Sequence, residues 1–313
     1  PPLLAQARQD HPDTTFILGG FDDHFYQAID TIVVSPGVAL DTPMLQIAKD
    51  QGVRLIGDTK LFFENSSAPV IAITGANGKS TVTSLVGMMA EKSGLRVGVG
   101  GNLGTPMLDL LDARNELYVL ELSSFQLELV DSCKDTISAM LNLSPDHLDR
   151  YESYEHYQSA KQRIFSGAKH TVFNRLDQRT HPWHFSDSRA TTFGLDLPEG
   201  EDFGLSNYGE ECWLVQGNQR LIRASDLALM GRHNINNALA ALALGYCAGI
   251  PMECMLETLR AFRGLPHRCE KVACIKGVLY IDDSKATNIG AVRAAISGFS
   301  RPTHKNILLI AGG

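Results

Sequence analysis

The sequence predicts an α/β fold: a central P-loop-type, mainly parallel sheet with a small antiparallel appendage, flanked by partial Rossmann-like N- and C-terminal domains. Three observations predict it. Apolar strand-like runs alternate with helical segments along most of the chain, the pattern of a parallel sheet covered on both faces. One of those runs leads through a glycine-rich loop directly into a helix. A stretch past the middle then changes to short strands and tight turns. With 313 residues, 44% of them hydrophobic, the chain is long enough for two or three domains, and the expected bounds are 1–57, 58–264 and 265–313.

The elements follow in order. A helix-like stretch opens the chain, and TIVVSPG at Thr31 to Gly37 reads as a strand and turn, with helical spacing in the following TPMLQIAKDQG. VIAIT, from Val70, is a strand; the next segment keeps a helical period through Val82, Leu85, Val86 and Met89. LRVGV, LYVLEL, TISAMLNL and TVFN supply further strands. Between Thr191 and Arg223 the short strands include a hairpin expected around Gly217-Asn218. Helices return with NNALAALALGYCAGI and with PMECMLETLRAF, the second opened by a proline suited to a first turn. From Leu265 a new α/β unit is expected: VLYIDDS as strand, AVRAAISGF as helix, ILLIAGG as the next strand. The absence of an initiating Met and the closing strand-and-glycine turn suggest that both natural termini lie outside this sequence.

Composition narrows the function. A formal net charge of −7 carries no surplus to neutralise a nucleic-acid backbone, so no nucleic-acid partner is expected. No window approaches the roughly 18 apolar residues of a membrane span, and the first residues lack a signal-peptide layout, so no membrane insertion and a cytoplasmic location are expected. The six cysteines form no C-x-x-C pair and read as reduced thiols.

The sharpest local feature is Thr74-Gly75-Ala76-Asn77-Gly78-Lys79-Ser80-Thr81, between a buried strand and an amphipathic helix. Such a loop turns successive backbone amides toward phosphate oxygens and adds the positive end of the helix. Lys79 is placed to reach the β and γ phosphates and the Ser80 hydroxyl to ligate Mg2+, which implies ATP or GTP as ligand. The spacing is G-x-x-G-K-S, shorter than the usual P-loop pattern, with Ile73 where the first glycine belongs. A second glycine-rich run, GVGGNLG at Gly98 to Gly104, has Leu103 at the last glycine position of a dinucleotide fingerprint and is not read as one.

These residues resemble a known family. TGANGKST is similar to the nucleotide loop of Mur ligases and folylpolyglutamate synthases, with Ala76 in place of the commoner Thr. The similarity continues through GGNLG, ELSSFQLE, SPDHLDRY, YQSAKQRIF, GRHNINNALAA, LPHRCE and DDSKATN. ELSSFQLE and LPHRCE resemble the D-glutamate-adding branch in particular. Relative to that branch the sequence is expected to lack the start of the UDP-binding domain and most of the C-terminal domain.

The resemblance implies an ATP-dependent ligase that joins UDP-N-acetylmuramoyl-L-alanine to D-glutamate through an acyl phosphate, acting as a monomer in the cytoplasmic stage of peptidoglycan synthesis. It implies ATP and Mg2+ as cofactors, and an ATP site formed by Gly75 to Thr81 with Asn234, Asn237, Arg268, Asp283 and Lys285. Glu121, at the carboxyl end of a strand where α/β ligands gather, becomes a Mg2+ ligand with Ser80. His147 is implied as ligand of a second Mg2+ and a catalytic residue; by residue type alone it reads as a hydrogen-bonding loop histidine, because Mg2+ prefers oxygen.

Lys161 reads from its helical surroundings as a solvated surface residue. The resemblance instead makes it a carbamylated, metal-associated catalytic lysine alongside Lys79 and His147. Substrate contacts are implied for Ser35, Pro36 and Gly37 on the UDP side, for Asn102, Ser123, Gln126 and His147 near the reacting carboxylate, and for Lys285 and Thr287 near D-glutamate. Polar satisfaction of loops competes for Asn102, Ser123 and Gln126, and helix capping for Asn234 and Asn237. Four other readings stay open: a noncatalytic module that binds nucleotide or the UDP substrate with little turnover, a sister ligase adding another amino acid, a folylpolyglutamate synthase, and a nucleotide switch acting through protein partners. The chain holds no N-K-x-D stretch for guanine, which counts against the last.

Overall fold

The computed structural model describes residues 3–20, 29–184, 189–299 and 307–312. Its contacts divide the chain into two compact units, Pro1–Gly57 and Asp58–Gly313.

In the first unit, α1 (Leu4–Asp10) precedes β1 (Thr31–Val34), α2 (Pro43–Asp50) and β2 (Arg54–Gly57). β1 and β2 pair in parallel, with Val33 opposite Ile56, and α2 is the crossover between them. Pro43 opens α2 where its missing N–H costs nothing, and Leu45 and Ala48 are its buried face. After β1, Ser35, Pro36 and Gly37 make a turn closed by the Val38 amide donating to the Ser35 carbonyl at 2.9 Å. β2 has no counterpart in the sequence reading, which carried the strand signal only as far as β1.

The second unit is built on one nine-stranded sheet. Its strands are β3 (Val70–Thr74), β4 (Val97–Gly101), β5 (Leu117–Glu121), β6 (Ile137–Met140), β7 (His170–Asn174), β8 (Arg189–Phe193), β9 (Phe203–Tyr208), β10 (Glu211–Gln216) and β11 (Gln219–Arg223). The spatial order is β11-β10-β9-β8-β7-β6-β3-β5-β4. From β4 to β9 all neighbours are parallel, and β10 and β11 continue that edge as antiparallel pairs, β10 with β9 and β11 with β10. The hairpin expected around Gly217-Asn218 joins β10 to β11 and is continuous with the main sheet through the Phe193–Phe203 pair.

Alternation along the strands explains the layers. Ile71, Ile73, Leu117 and Val119 face one core with α4 (Lys79–Lys92), α7 (Arg232–Cys247) and α8 (Met252–Ala261). Val70, Ala72, Tyr118 and Leu120 face the other, with α3 (Asp58–Asn65), α5 (Ser124–Leu127) and α6 (Tyr154–Gln162). A period of two with both faces apolar is what a sheet between two helix layers requires. Burying each Leu, Ile or Phe side chain there contributes about 1.5–3 kcal/mol. All five residues of β3 are buried, so the strand that delivers the nucleotide loop is held from both sides.

Residues from 265 onward depart from the expected unit. β12 (Glu270–Ile275) and β13 (Val278–Asp282) form an antiparallel hairpin turned by Lys276 and Gly277, both at positive φ. α9 (Ile289–Phe299) follows as expected. ILLIAGG is not a strand across residues 307–312. Leu308 and Ile310 are 90% and 91% exposed, and among the described residues no strand pairs with this run. Among the described residues, no helix is long and apolar enough to cross a membrane.

Candidate active site

Gly75 and Gly78 shape the loop between β3 and α4. Gly78 sits at φ 84° as the N-cap of α4, a conformation that L side chains rarely adopt. A Cβ there would also fall 2.3 Å from Asn237 Oδ1, so the loop and α7 approach each other at a distance only glycine permits.

The loop amides are not all free, contrary to the reading in which successive amides face phosphate. The Ala76 amide donates to the Asn142 carbonyl at 3.0 Å. The Asn77 amide donates to Asn142 Oδ1 at 2.9 Å, and Asn142 Nδ2 donates back to the Asn77 carbonyl at 2.8 Å. Asn142, just past β6, clasps the loop with backbone and side chain together. The first-turn amides of α4 have no intrahelical acceptor and are the ones left for an anion.

Two lysines meet on this loop. Lys79 Nζ donates to the carbonyls of Gly75 and Ala76, each at 3.0 Å. Lys161 Nζ donates to Gly75 O at 2.9 Å and Thr74 Oγ1 at 3.2 Å, and lies 5.1 Å from the centre of the Tyr157 ring. The surface reading of Lys161 is corrected: it is 2% exposed, because α6 turns this residue inward with Tyr157 and Ala160. Burial drives its pKa well below the lysine range and the neighbouring Lys79 adds to the shift, against the pull of Asp146 and Glu121. Burial also lowers the pKa of Lys79, with Glu121 opposing.

Glu121 ends β5 and is 3% exposed. Asn102 holds it twice: Nδ2 donates to Glu121 Oε1 at 2.8 Å, and the Asn102 amide donates to the Glu121 carbonyl at 2.8 Å. Glu121 Oε2 is buried with no protein partner. A buried carboxylate oxygen without a donor is costly, and a hard cation would satisfy it. Ser80 is also buried, its Oγ accepting from Arg268 Nη2 at 2.9 Å. These oxygen donors fit Mg2+.

His147 has φ 53°, its ring 4.9 Å from that of Phe125 and Nε2 3.9 Å from Asp146 Oδ2. Its side chain is 49% exposed. Ser123 and Gln126 are engaged with each other. They form a capping box on α5, and Gln126 Nε2 reaches Asp58 Oδ2 at 3.5 Å.

A cavity of ≈ 330 Å³ opens beside the loop. It brings together Asn77, Gly78, Thr81, Asn234, Asn237, Arg268, Asp283 and Lys285, all expected around a nucleotide. Asn237 Nδ2 donates to Asn234 Oδ1 at 3.2 Å, and Asn234 Nδ2 to the Met230 carbonyl at 2.8 Å. Asp283 Oδ1 accepts from the Cys269 amide at 3.0 Å. Thr287 is exposed and outside the cavity wall. Ser35, Pro36 and Gly37 belong to the first unit.

This arrangement can hold a nucleoside triphosphate by its phosphates, present cations to them, and keep one amine unprotonated more readily than an exposed lysine. Residues 73–245 match the model of the Mur ligase middle domain, and residues 1–57 that of the Mur ligase MurD-like N-terminal domain. The chain belongs to the Mur ligase family. Mur ligases are ATP-dependent enzymes of peptidoglycan synthesis, typically working with Mg2+, and this chain is one of these ligases.

Among curated relatives, the UDP-N-acetylmuramoylalanine--D-glutamate ligase of Pseudomonas fluorescens Pf-5 is 50% identical over all 313 residues, 70% of that protein's length. The ligase of the same name from Marinobacter nauticus is 48% identical over the same spans. Solved Mur ligase structures share the fold at low identity. A pseudomurein peptide ligase type C from Methanothermus fervidus has a TM-score of 0.62 at 22% identity, covering 92% of this chain and 68% of that one. MurF from Acinetobacter baumannii has a TM-score of 0.62 at 19% identity, covering 93% and 74%.

Sequence reasoning missed Asn142, Asp146 and Asn288 as site residues. Asn288 Nδ2 donates to Asp146 Oδ2 at 3.1 Å and to Asn77 Oδ1 at 3.3 Å, tying the DDSKATN loop to the nucleotide loop. All three stand inside blocks that the sequence already marked.

Proposed function

We propose that this Mur ligase joins UDP-N-acetylmuramoyl-L-alanine to D-glutamate in the cytoplasm, as a monomer. The observation that carries the chemistry is Lys161, buried on the Gly75 carbonyl in the same electrostatic neighbourhood as Glu121, whose Oε2 has no partner. The choice of amino acid is supported by relatives named for that reaction, about half identical along the whole chain.

In this reading residues 1–57 are part of the UDP-binding domain, 58–264 the ATP-binding domain and 265–313 the start of a Rossmann-like domain. Ser35, Pro36 and Gly37 contact the UDP group. Lys79 and the amides from Gly78 to Thr81 hold the β and γ phosphates. Asn234, Asn237, Arg268, Asp283 and Lys285 hold the rest of ATP, while Asn102, Ser123 and Gln126 lie toward the reacting carboxylate and Thr287 toward D-glutamate.

Ser80, Glu121, His147 and Lys161 would hold Mg2+, which when bound offsets phosphate charge. A lysine joins such a set only as an anion. Carbon dioxide adds to a neutral amine, losing one proton and leaving a carbamate, and burial beside Lys79 favours that neutral amine.

The reaction has two steps. The substrate carboxylate oxygen bonds to the γ phosphorus and ADP leaves, with Lys79 neutralising charge in transfer. The neutral amine of D-glutamate then bonds to the acyl carbon, the carbon–oxygen bond to phosphate breaks, and the proton lost from nitrogen passes to the departing phosphate or to water. Phosphate release with ATP, Mg2+ and UDP-N-acetylmuramoyl-L-alanine is expected to require D-glutamate over L-alanine, L-lysine or diaminopimelate. Release indifferent to D-glutamate overturns the reading.

A further inference from the structure

We propose that Asn288 is a positioning residue for the ATP-dependent reaction: its side-chain amide fastens the segment that carries Asp283 and Lys285 onto the nucleotide loop. The inference rests on the proposed reading of the loop-side cavity as the ATP site. Among the described residues, that cavity is walled by Asp283, Lys285 and Ala286 before Asn288 and by Gly290, Ala291 and Ala294 after it, but not by Asn288 itself. Asn288 therefore acts through the wall on either side of it.

Every hydrogen-bonding position of this amide is used. Oδ1 accepts from the Ala291 amide at 2.8 Å, which caps the start of α9, and from Asn77 Nδ2 at 3.5 Å. Nδ2 donates to Asp146 Oδ2 at 3.1 Å and to Asn77 Oδ1 at 3.3 Å. These partners fix which way round the amide stands, because a backbone N–H needs the oxygen and a carboxylate needs the NH2. One side chain thus joins the nucleotide loop, the segment between β6 and α6, and the start of α9.

A second contact shows how closely these segments approach. A Cβ at Gly290 would fall 3.0 Å from Ser144 Oγ and 3.4 Å from Asn77 Nδ2, so the first turn of α9 lies against the loop with little room for a side chain. The loop is held from two directions: Asn142 bonds the backbone of Asn77 and Asn288 its side chain. Asp146 gives its other oxygen to the His147 amide at 3.0 Å, so the same amide also bears on the residue held at φ 53°. Without the bridge the wall carrying Asp283 and Lys285 is seated for a smaller fraction of the time, and apparent ATP affinity falls by that fraction.

Capping and bridging can be separated by substitution. Asn288→Ser keeps an oxygen for the Ala291 amide and is too short to reach Asp146 and Asn77, whereas Asn288→Ala loses both roles. Calorimetry with ATP and Mg2+, steady-state kinetics and urea unfolding would compare the wild type with both variants. Asn288→Ser is expected to bind ATP about 10-fold more weakly, with KM for ATP raised to match, kcat within about twofold of wild type and the urea midpoint unchanged. In an Asn77→Ala background, which already lacks one arm of the bridge, the same substitution should weaken ATP binding less. Wild-type ATP affinity in Asn288→Ser makes the residue a helix cap alone and overturns the inference. So does a fall in kcat at constant KM, a lowered urea midpoint in Asn288→Ser, or an equal effect in the two backgrounds. A wild type that binds no ATP overturns the reading of the cavity instead.

Discussion

Lys161 and Lys79 donate to the same carbonyl oxygen, that of Gly75, at 2.9 and 3.0 Å. Each has one further acceptor, Thr74 Oγ1 for Lys161 and the Ala76 carbonyl for Lys79; two partners do not replace the hydration of a three-donor ammonium, and the cost falls on the more deeply buried lysine. Its pKa is lowered by burial first and by Lys79 second.

The pH dependence of stability follows from that shift. Between the lowered folded pKa and the unfolded value of 10.5, the unfolded chain binds more protons at this position than the folded one. Stability contributed by this site therefore rises with pH across that window. Replacing Lys161 by Met removes the dependence. Urea midpoints in bicarbonate-free buffer, followed from neutral pH upward, should rise more steeply for the wild type than for Lys161→Met; parallel curves would contradict the shift.

Gly78→Ala places a methyl group 2.3 Å from Asn237 Oδ1 at a φ of 84°. Steric overlap and backbone strain together should cost about 1–3 kcal/mol. Shortening the neighbour in Gly78→Ala/Asn237→Gly relieves the overlap and leaves the strain. Denaturant unfolding should therefore show the double variant recovering part of the loss attributable to Gly78→Ala, and a purely additive result would count against the contact.

Asn142→Ala deletes two side-chain hydrogen bonds to Asn77, each worth about 0.5–1.5 kcal/mol. With the clasp gone, the loop samples other shapes and the KM for ATP should rise while kcat changes less. Asn142→Asp keeps the acceptor for the Asn77 amide and loses the donor to its carbonyl, so its KM should fall between the two. Steady-state kinetics decide this; a fall in kcat at constant KM would contradict a role in shaping the loop.

Asn102 fixes Glu121 through both its side chain and its backbone amide. Partners that orient a metal-binding carboxylate are typically worth about 10–100-fold in metal affinity. Asn102→Ala should therefore raise the Mg2+ concentration at half-maximal activity by at least about 10-fold. An unchanged Mg2+ titration would remove Glu121 from the metal site.

Much of this was legible in the sequence, for physical reasons that also explain the gaps. The loop from Thr74 to Thr81 announced itself because glycine, lysine and hydroxyl residues at a helix start have no packing explanation. Glu121 was legible because a carboxylate ending an apolar strand stands where α/β ligands gather. Lys161 misled because its neighbours on α6 are polar; only the three-dimensional packing of Tyr157 and Ala160 shows that this face points inward. Asn142 was hidden because it acts largely on backbone atoms, which leave no side-chain pattern. The run at Ile307 to Ile310 reads as a strand from hydrophobicity alone, and among the described residues it pairs with none.

The proposed chemistry depends on a carbamate at Lys161. Carbon NMR of the enzyme equilibrated with isotopically labelled bicarbonate, ATP and Mg2+ tests this most directly. A carbamate carbonyl resonance is expected that disappears in Lys161→Met and persists in Lys79→Met. No such resonance in the wild type, or one that survives in Lys161→Met, would contradict it.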